Sequence, residues 1–414
     1  MANEKLNVRC CIAGGGPAGM MLGYLLARGG VDVLVLEKHA DFLRDFRGDT
    51  IHPSTMQCLY ELGLLEQFLE RPHQEVREVA AEISGECYEI ADFSHLPVHK
   101  RFIAFMPQWD FLDFLSSEAS RIPNFRLMME TEVTDLLWDG HRVAGVRARH
   151  GEDRLDIRAD LVVGCDGRHS TVRAKAGLQV NDLGAPMDVL WMRIPKDPDA
   201  EDGMLGYIGA DGFLVMLDRG DYWQCAFVIA KGNFEAVQAE GIESFRDRLV
   251  RINPKISGNV QGLKSFDDVK LLTVTVDRLR RWYRPGLLCI GDCAHAMSPI
   301  GGVGINLAIQ DAVATANILA EPLRDGPAAV GLLDEVQRRR QWPTRMTQSL
   351  QIFLQNKLIK PLLAQSAAPK APLPIKLLNW IPLLRRIPAR IIGLGFRPEH
   401  IRCRQVLAPP STKS

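Results

Sequence analysis

Short apolar runs bounded by glycine and acidic turns divide the chain into strand-sized and helix-sized pieces. Val8 to Ala13 is a continuous apolar run of buried-strand length, Pro17 to Ala27 has helical composition, and Val31 to Leu36 is apolar and β-branched enough for a second parallel strand. The same grammar returns twice. In ADLVVGCDGRHSTVR, Ala159 to Arg173, an apolar strand ends at Gly164, Asp166 and Gly167 suit a sharp turn, and Ser170 can cap the helix that follows. In the last copy GLLCI is the strand, Gly291 and Asp292 turn the chain, and Asn306 to Leu319 reads as helix. Between them Pro299, Gly301, Gly302 and Gly304 make a loop whose backbone can approach a ligand closely.

The middle of the chain has a different rhythm. DVLWMRIP, GFLVMLDRG and YWQCAFVIAKG are short β-rich runs separated by Gly, Pro and Asp turns, which predicts antiparallel pairing. Beyond Met346, the residues Met346, Leu350, Phe353, Leu354, Leu358 and Leu362 fall on one helical stripe. After Pro361 comes a basic, apolar stretch broken by prolines, read two ways: as a cap over the rest of the fold, or as a patch that touches anionic lipid. No uninterrupted apolar run approaches the roughly 18 residues of a spanning helix. The first apolar run could pass for a leader sequence, but its central glycines and proline fit a ligand-binding turn better.

Composition narrows the class. With 46% hydrophobic and 24% charged residues the chain is ordinary globular material, long enough at 414 residues for two or three domains. Fifty Lys and Arg balance fifty Asp and Glu, so net charge points to no nucleic acid. The balance is uneven: from Arg345 onward 12 basic residues face one acid, Glu399, leaving 38 against 49 before it. Nine scattered cysteines fit small buried hydrophobes in a reducing, cytoplasmic setting, with Cys289 and Cys293 the one pair to weigh as a redox couple. No His or Cys spacing suggests a metal.

The first unit carries specific chemistry. Gly14, Gly16 and Gly19 fill G-x-G-x-x-G after a strand, with Pro17 and Ala18 opening the helix. In such a turn a pyrophosphate meets backbone amides at a helix N-terminus. Glu37, followed by Lys38, closes the second strand where a carboxylate can accept both ribose hydroxyls of an adenosine. An ADP-containing dinucleotide follows, without a choice between NAD and FAD.

Taken together, the three segments resemble the class A flavoprotein monooxygenases, the family of para-hydroxybenzoate hydroxylase and the ubiquinone-ring hydroxylases. The D-G segment matches at Asp166, Gly167, Ser170 and Arg173, and the G-D-A-x-H segment with its P-x-x-G-x-G-x-N sequel matches at Gly291, Asp292, Ala294, His295, Pro299, Gly302, Gly304 and Asn306. Cys293 stands where Ala is usual. The resemblance implies an α/β fold: a Rossmann-like FAD-binding domain, an inserted mainly antiparallel β-sheet substrate domain and a C-terminal helical tail. It places the FAD-binding domain at 1–75, 100–180 and 270–344, the substrate domain at 76–99 and 181–269, and the tail at 345–414.

The resemblance also implies roles. Asp292 would bond the ribitol of FAD, backbone from Gly302 through Val303, Gly304 and Ile305 to Asn306 would face the flavin pyrimidine edge, and Pro299 and Gly302 would line the oxygen-transfer face. Asp166, Gly167, Arg173, Arg47 and Gln108 join the cofactor set, and His295 is a candidate general base or a structural residue. Alternate side chains of the inserted sheet would face the flavin, giving Trp191, Arg193, Tyr207, Met216, Trp223 and Phe227 as substrate candidates, or else core. The implied reaction uses NADH or NADPH and O2 to hydroxylate an aromatic substrate through a flavin C4a-hydroperoxide. Rivals are a prenyl-chain reductase, a flavin-dependent halogenase, of whose G-W-x-W-x-I-P only fragments remain in LWMRIP, and a non-enzymatic flavin-binding sensor. The expected setting is cytoplasmic, with peripheral membrane association if the tail meets lipid.

Overall fold

Five strands lie parallel at the centre of the molecule, and the apolar ends that meet there, Cys10–Ala13, Val33–Leu36, Leu161–Gly164 and Leu287–Cys289, are buried on both faces and need no polar alternation. In spatial order they are Leu287–Cys289, Asp153–Gly164, Glu4–Ala13, Val33–Leu36 and Phe125–Met128. The computed structural model describes residues 4–43, 50–197, 206–361 and 369–406. The sheet has eight strands in all. Tyr283–Arg284 closes one edge antiparallel, and Thr131–Asp139 with Arg142–His150 forms an antiparallel ribbon along the Asp153–Gly164 strand.

Helices Pro17–Arg28 and Gly304–Asp325 pack against each other and carry the largest apolar cluster with these strands. The stretch Ile300–Asp325 is long and apolar enough by composition to cross a membrane, but 83% of its most apolar window is buried inside the fold.

A second sheet of seven strands stands beside the first, in the order Lys270–Leu272, Met187–Pro195, Tyr222–Ala230, Gly212–Asp218, Gly206–Gly209, Glu78–Ile83, Glu86–Asp92. All its pairs are antiparallel except that between Gly206–Gly209 and Glu78–Ile83. The fold is thus the mixed α/β architecture the sequence predicts, with a Rossmann-like parallel sheet and an antiparallel second sheet. One face of the second sheet packs on helix Ile242–Ile252, and the other turns inward.

The C-terminal region differs from its expected form. Helix Val330–Leu354 continues in a wide turn over Gln355–Ile359, but the Met346 stripe is not its buried face. Trp342, Met346 and Phe353 are exposed, while Gln337, Arg340, Thr344, Thr347, Gln348, Gln351 and Gln355 are buried. Leu358's side chain and Leu362 lie outside the described residues. The helix hides a polar face because that face satisfies loop backbone elsewhere, as the site shows. Beyond it, helices Leu373–Trp380 and Arg386–Gly393 pack on strand Glu86–Asp92, so this segment caps the fold.

Candidate functional site

Three chain segments end together at the carboxyl edge of the parallel strands, where ligands bind in open α/β sheets. At the first, a Cβ on Gly19 would lie 1.9 Å from the Gly14 carbonyl oxygen, so only glycine lets the helix meet the strand there. Gly16 is the extended N-cap of the twelve-residue helix Pro17–Arg28; nothing lies within 4 Å of where its Cβ would point, and no side chain caps the first turn. Amides and open space therefore coincide, which is what a pyrophosphate requires. Glu37 is buried at the end of its strand. Its Oε2 accepts from Gly15 N at 2.9 Å, while Oε1 accepts from His39 N at 3.1 Å and lies 2.5 Å from His39 Nδ1. The carboxylate thus also pins the glycine turn. Lys38 beside it is exposed, Gln108 opens helix Gln108–Ala119 half-buried, and Arg47 lies outside the described residues.

In the second segment Ser170 caps helix Thr171–Lys175 through Arg173 N at 2.9 Å. Asp166 Oδ2 accepts from Val172 N at 3.0 Å, whereas its Oδ1 is buried without a partner. An orphaned carboxylate oxygen is costly unless a ligand donor completes it. Arg173 has a different place from the one expected of it. Its guanidinium donates to Cys293 O at 3.3 Å, to Asp277 Oδ2 at 3.3 Å and to Arg168 O, clamping the second segment to the third rather than facing a cofactor. Arg168, unmarked in the sequence, approaches Asp292 Oδ2 at 3.6 Å.

The third segment is built around Asp311, on the buried side of helix Gly304–Asp325. Its Oδ2 accepts from Gly291 N at 3.1 Å and lies 2.6 Å from His295 Nε2, and its Oδ1 accepts from Arg340 Nε at 2.9 Å. Burial pushes the Asp311 carboxyl up, but His295 and Arg340 outweigh it and hold the group below the usual carboxylate range. Arg340 continues to Glu399 Oε1 at 3.3 Å, which Arg339 also grips at 2.7 Å. The expectation of a general base at His295 is corrected: the ring is 1% exposed, paired with Asp311 and packed 5.0 Å from the Trp282 ring. His295 holds the turn that presents Asp292, whose side chain stays partly open.

The loop after it is held from behind. Gln351 accepts from Ser298 N at 3.2 Å and donates to Ser298 O and Ile300 O, both at 2.9 Å. Gln348 donates to Asp277 O at 2.7 Å and Ala296 O at 3.1 Å, and Gln355 to Ser298 Oγ at 2.7 Å. The three glutamines share one helical face, which explains the buried polar side of Val330–Leu354. Gly302 adopts a φ of 61°, and a Cβ there would meet Thr50 Oγ1 at 2.6 Å. Thr50 donates to Gly302 O at 2.9 Å. The Asn306 side chain accepts from His52 N at 3.0 Å and Thr55 Oγ1 at 2.7 Å, so it ties helix Pro53–Glu61 to the loop and leaves backbone for a ligand. No side chain caps the first turn of the 22-residue helix that opens at Gly304, and Val303 and Ile305 are buried around it.

The inserted sheet reaches this loop with only one face. Tyr207, Met216, Trp223 and Phe227 point the other way, into a cluster with Phe245, Leu249 and Ile252, so those four substrate assignments are corrected. Phe227 meets Phe245 edge to face at 5.4 Å. The reason is parity: alternation defines two faces and does not say which turns inward. Trp191 lies on the inner face with Val215, Val189, Ala226 and Ile392. Arg193 shares its parity but is exposed, its guanidinium 5.1 Å from the Tyr222 ring. Ile300 packs with Met187, Phe213 and Val228 of the same face. A cavity of about 110 Å3 lies behind the loop, between Ile300 and Val303, Leu350 and Leu354 of the long helix, and Ile391 to Phe396 of the C-terminal segment.

Among the described residues no cluster could hold a metal ion. Cys289 and Cys293 are buried, and burial pushes the Cys293 thiol well above its usual range, which opposes the thiolate that disulfide exchange needs.

Comparison with known proteins agrees with this geometry. The family described as FAD binding domain matches residues 7–349. The 6-methylpretetramide 4-monooxygenase of Streptomyces rimosus is 34% identical over 92% of this chain and 91% of its own. Among solved structures, the probable FAD-dependent monooxygenase pqsL of Pseudomonas aeruginosa superposes with a TM-score of 0.73 at 25% identity, over 86% of this chain and 98% of its own. The OxyS anhydrotetracycline hydroxylase of Streptomyces rimosus gives a TM-score of 0.74 at 24% identity, over 95% of this chain and 77% of its own.

Proposed function

Since the chain belongs to the FAD-binding-domain family and is an FAD-dependent monooxygenase, we propose that it hydroxylates a polycyclic aromatic compound of polyketide type, with NADH or NADPH as reductant. The observation that carries the flavin chemistry in this reading is the convergence of the glycine turn at Gly16, the orphaned Asp166 Oδ1 and the uncapped helix at Gly304 on one strand edge. These groups fit an extended dinucleotide: amides for its pyrophosphate, carboxylates at Glu37, Asp166 and Asp292 for hydroxyl groups, and a helix N-terminus for the electron-rich flavin edge. Bound FAD would supply two-electron exchange with the nicotinamide and activation of dioxygen for attack on an electron-rich ring.

The chain's own residues do the rest. The first-turn amides of helix Gly304–Asp325 favour negative charge placed against them and would hold the electron-rich edge of a bound flavin. Gln351 holds the backbone of Ser298 and Ile300 and Gln355 the Ser298 hydroxyl, which anchors the loop from behind. The inner face of the second sheet, with Trp191, Val215 and Val228, is apolar and would exclude water from a flat ring held against the loop. No acid or base from the chain is required for an already activated ring. The aromatic polyketide class rests on the Streptomyces relative, and the apolar residues of that face are compatible with a flat ring.

The test is turnover of FAD-loaded protein with NADH and with NADPH against phenolic polycycles, simple phenols and prenyl lipids. Faster nicotinamide oxidation and a hydroxylated product with a polycycle are expected. A halogenated product when halide is supplied, or a saturated prenyl chain, would replace this reading with a rival, and no turnover with any compound would favour a sensor.

A further inference from the structure

Two separated parts of the fold expose large apolar side chains, and each has members next to residues that line one cavity. On helix Val330–Leu354, Trp342, Met346 and Phe353 are exposed, with Phe353 next to Leu354 and Met346 one turn before Leu350, both of which line the cavity. On the C-terminal segment Leu373, Trp380, Leu383 and Ile387 are 63, 68, 61 and 58% exposed, and Ile387 lies one turn before Ile391, another lining residue. Single exposed hydrophobes are ordinary, but seven gathered on the long helix and the C-terminal segment point to a contact surface.

Charge identifies the partner. Residues 369–406 carry Lys370, Lys376, Arg385, Arg386, Arg390, Arg397, Arg402 and Arg404 against the single acid Glu399, which is buried and already bonded to Arg339 and Arg340. Arg385 pairs with Glu89, and Arg386 reaches His95 at 3.1 Å. Among the described residues no carboxylate pairs with Lys376 or Arg390. The same face of a second copy would bring like charge against like. Exposed tryptophan and branched aliphatics beside uncompensated Lys and Arg fit an anionic lipid surface, where the rings and chains enter the interface and the cations meet headgroups.

We propose that the C-terminal segment Leu373–Gly393, with the outer face of helix Val330–Leu354, docks this enzyme on anionic lipid. The prolines at 372, 374, 382 and 388 break the segment into short pieces that lie along the protein, so contact is peripheral and no helix crosses. Docking stands apart from the choice of substrate, since vesicles read it without turnover.

The FAD-loaded enzyme is sedimented with vesicles of phosphatidylcholine alone and of phosphatidylcholine with phosphatidylglycerol. The mixed vesicles should bind about tenfold more protein, and salt should release it. The variant Trp380→Ser/Leu383→Ser should lose about tenfold in binding at unchanged FAD content and far-ultraviolet dichroism. Equal binding to both vesicle types, no binding to either, or a variant that binds as the parent does would each overturn the proposal. So would light scattering that shows a dimer for the parent and a monomer for the variant, because a second copy would then cover this face.

Discussion

Replacing Gln351 with Leu removes three hydrogen bonds from one side chain while keeping a similar volume. Ser298 N, Ser298 O and Ile300 O, bonded at 3.2, 2.9 and 2.9 Å, lose their partner against a buried helix face. Leaving a buried backbone group unpaired costs about 1–3 kcal/mol. The sum is reduced because Gln355 still holds Ser298 Oγ and because Gly301 and Gly302 let the loop relax. A net loss of roughly 2–4 kcal/mol is expected. Relaxation of that loop should also appear where a rigid scaffold would show nothing: FAD content should fall, and a larger share of nicotinamide oxidation should end as hydrogen peroxide. Gln351→Glu is the sharper variant, since it keeps an acceptor for Ser298 N but turns a carboxylate oxygen toward two carbonyls, and should be worse than Leu in both readouts. Urea titration, flavin absorbance and a peroxide assay measure the three quantities. Stability within about 0.5 kcal/mol of the parent, with flavin content and coupling unchanged, would refute the idea that this helix sets the loop.

Gly302→Val should retain little FAD, because its φ of 61° costs a side chain about 1–2 kcal/mol and its Cβ would meet Thr50 Oγ1 at 2.6 Å; normal flavin content would contradict this. Asp311→Asn removes one of the two buried carboxylates that face Arg340, Glu399 remaining at 3.3 Å, and should cost about 1.5–3 kcal/mol in urea unfolding, a larger loss than from an exposed carboxylate such as Asp325. His52 is buried, donates from Nδ1 to Ile392 O at 2.7 Å, and is held down at about 4 by burial. The unfolded chain therefore binds this proton first, and stability should fall by about 3 kcal/mol as pH drops from about 6.5 through about 4. His52→Gln should flatten that slope relative to the parent, whereas parallel slopes would remove the assignment.

The strand, glycine turn and helix at Gly14 to Glu37 were legible because local geometry dictates their residue types: Gly19 has no room for a Cβ and Glu37 ends a buried strand. The two later turns were legible for the same reason. Less visible was the buried pairing of Asp311 with His295, Arg340 and, beyond them, Glu399, because the partners are brought together by packing across 16 to 59 residues of chain. The glutamine face of Val330–Leu354 inverts the usual rule, since its polar side is buried to satisfy loop backbone and its apolar side is exposed. A stripe drawn through Met346 and Phe353 followed hydrophobicity and so chose the wrong side. In the second sheet, Met216, Trp223 and Phe227 drew attention by size, yet a period of two cannot tell the ligand face from the face that packs on Ile242–Ile252.

As a hydroxylase, this chain would insert oxygen from dioxygen into an aromatic ring. That step is tested most directly by turnover of the FAD-loaded protein with reduced nicotinamide and a polycyclic phenol under isotopically labelled dioxygen, with the product analysed by mass spectrometry. A product carrying a single labelled oxygen atom is expected. Unlabelled hydroxyl derived from water, or a product changed without gain of oxygen, would contradict that step.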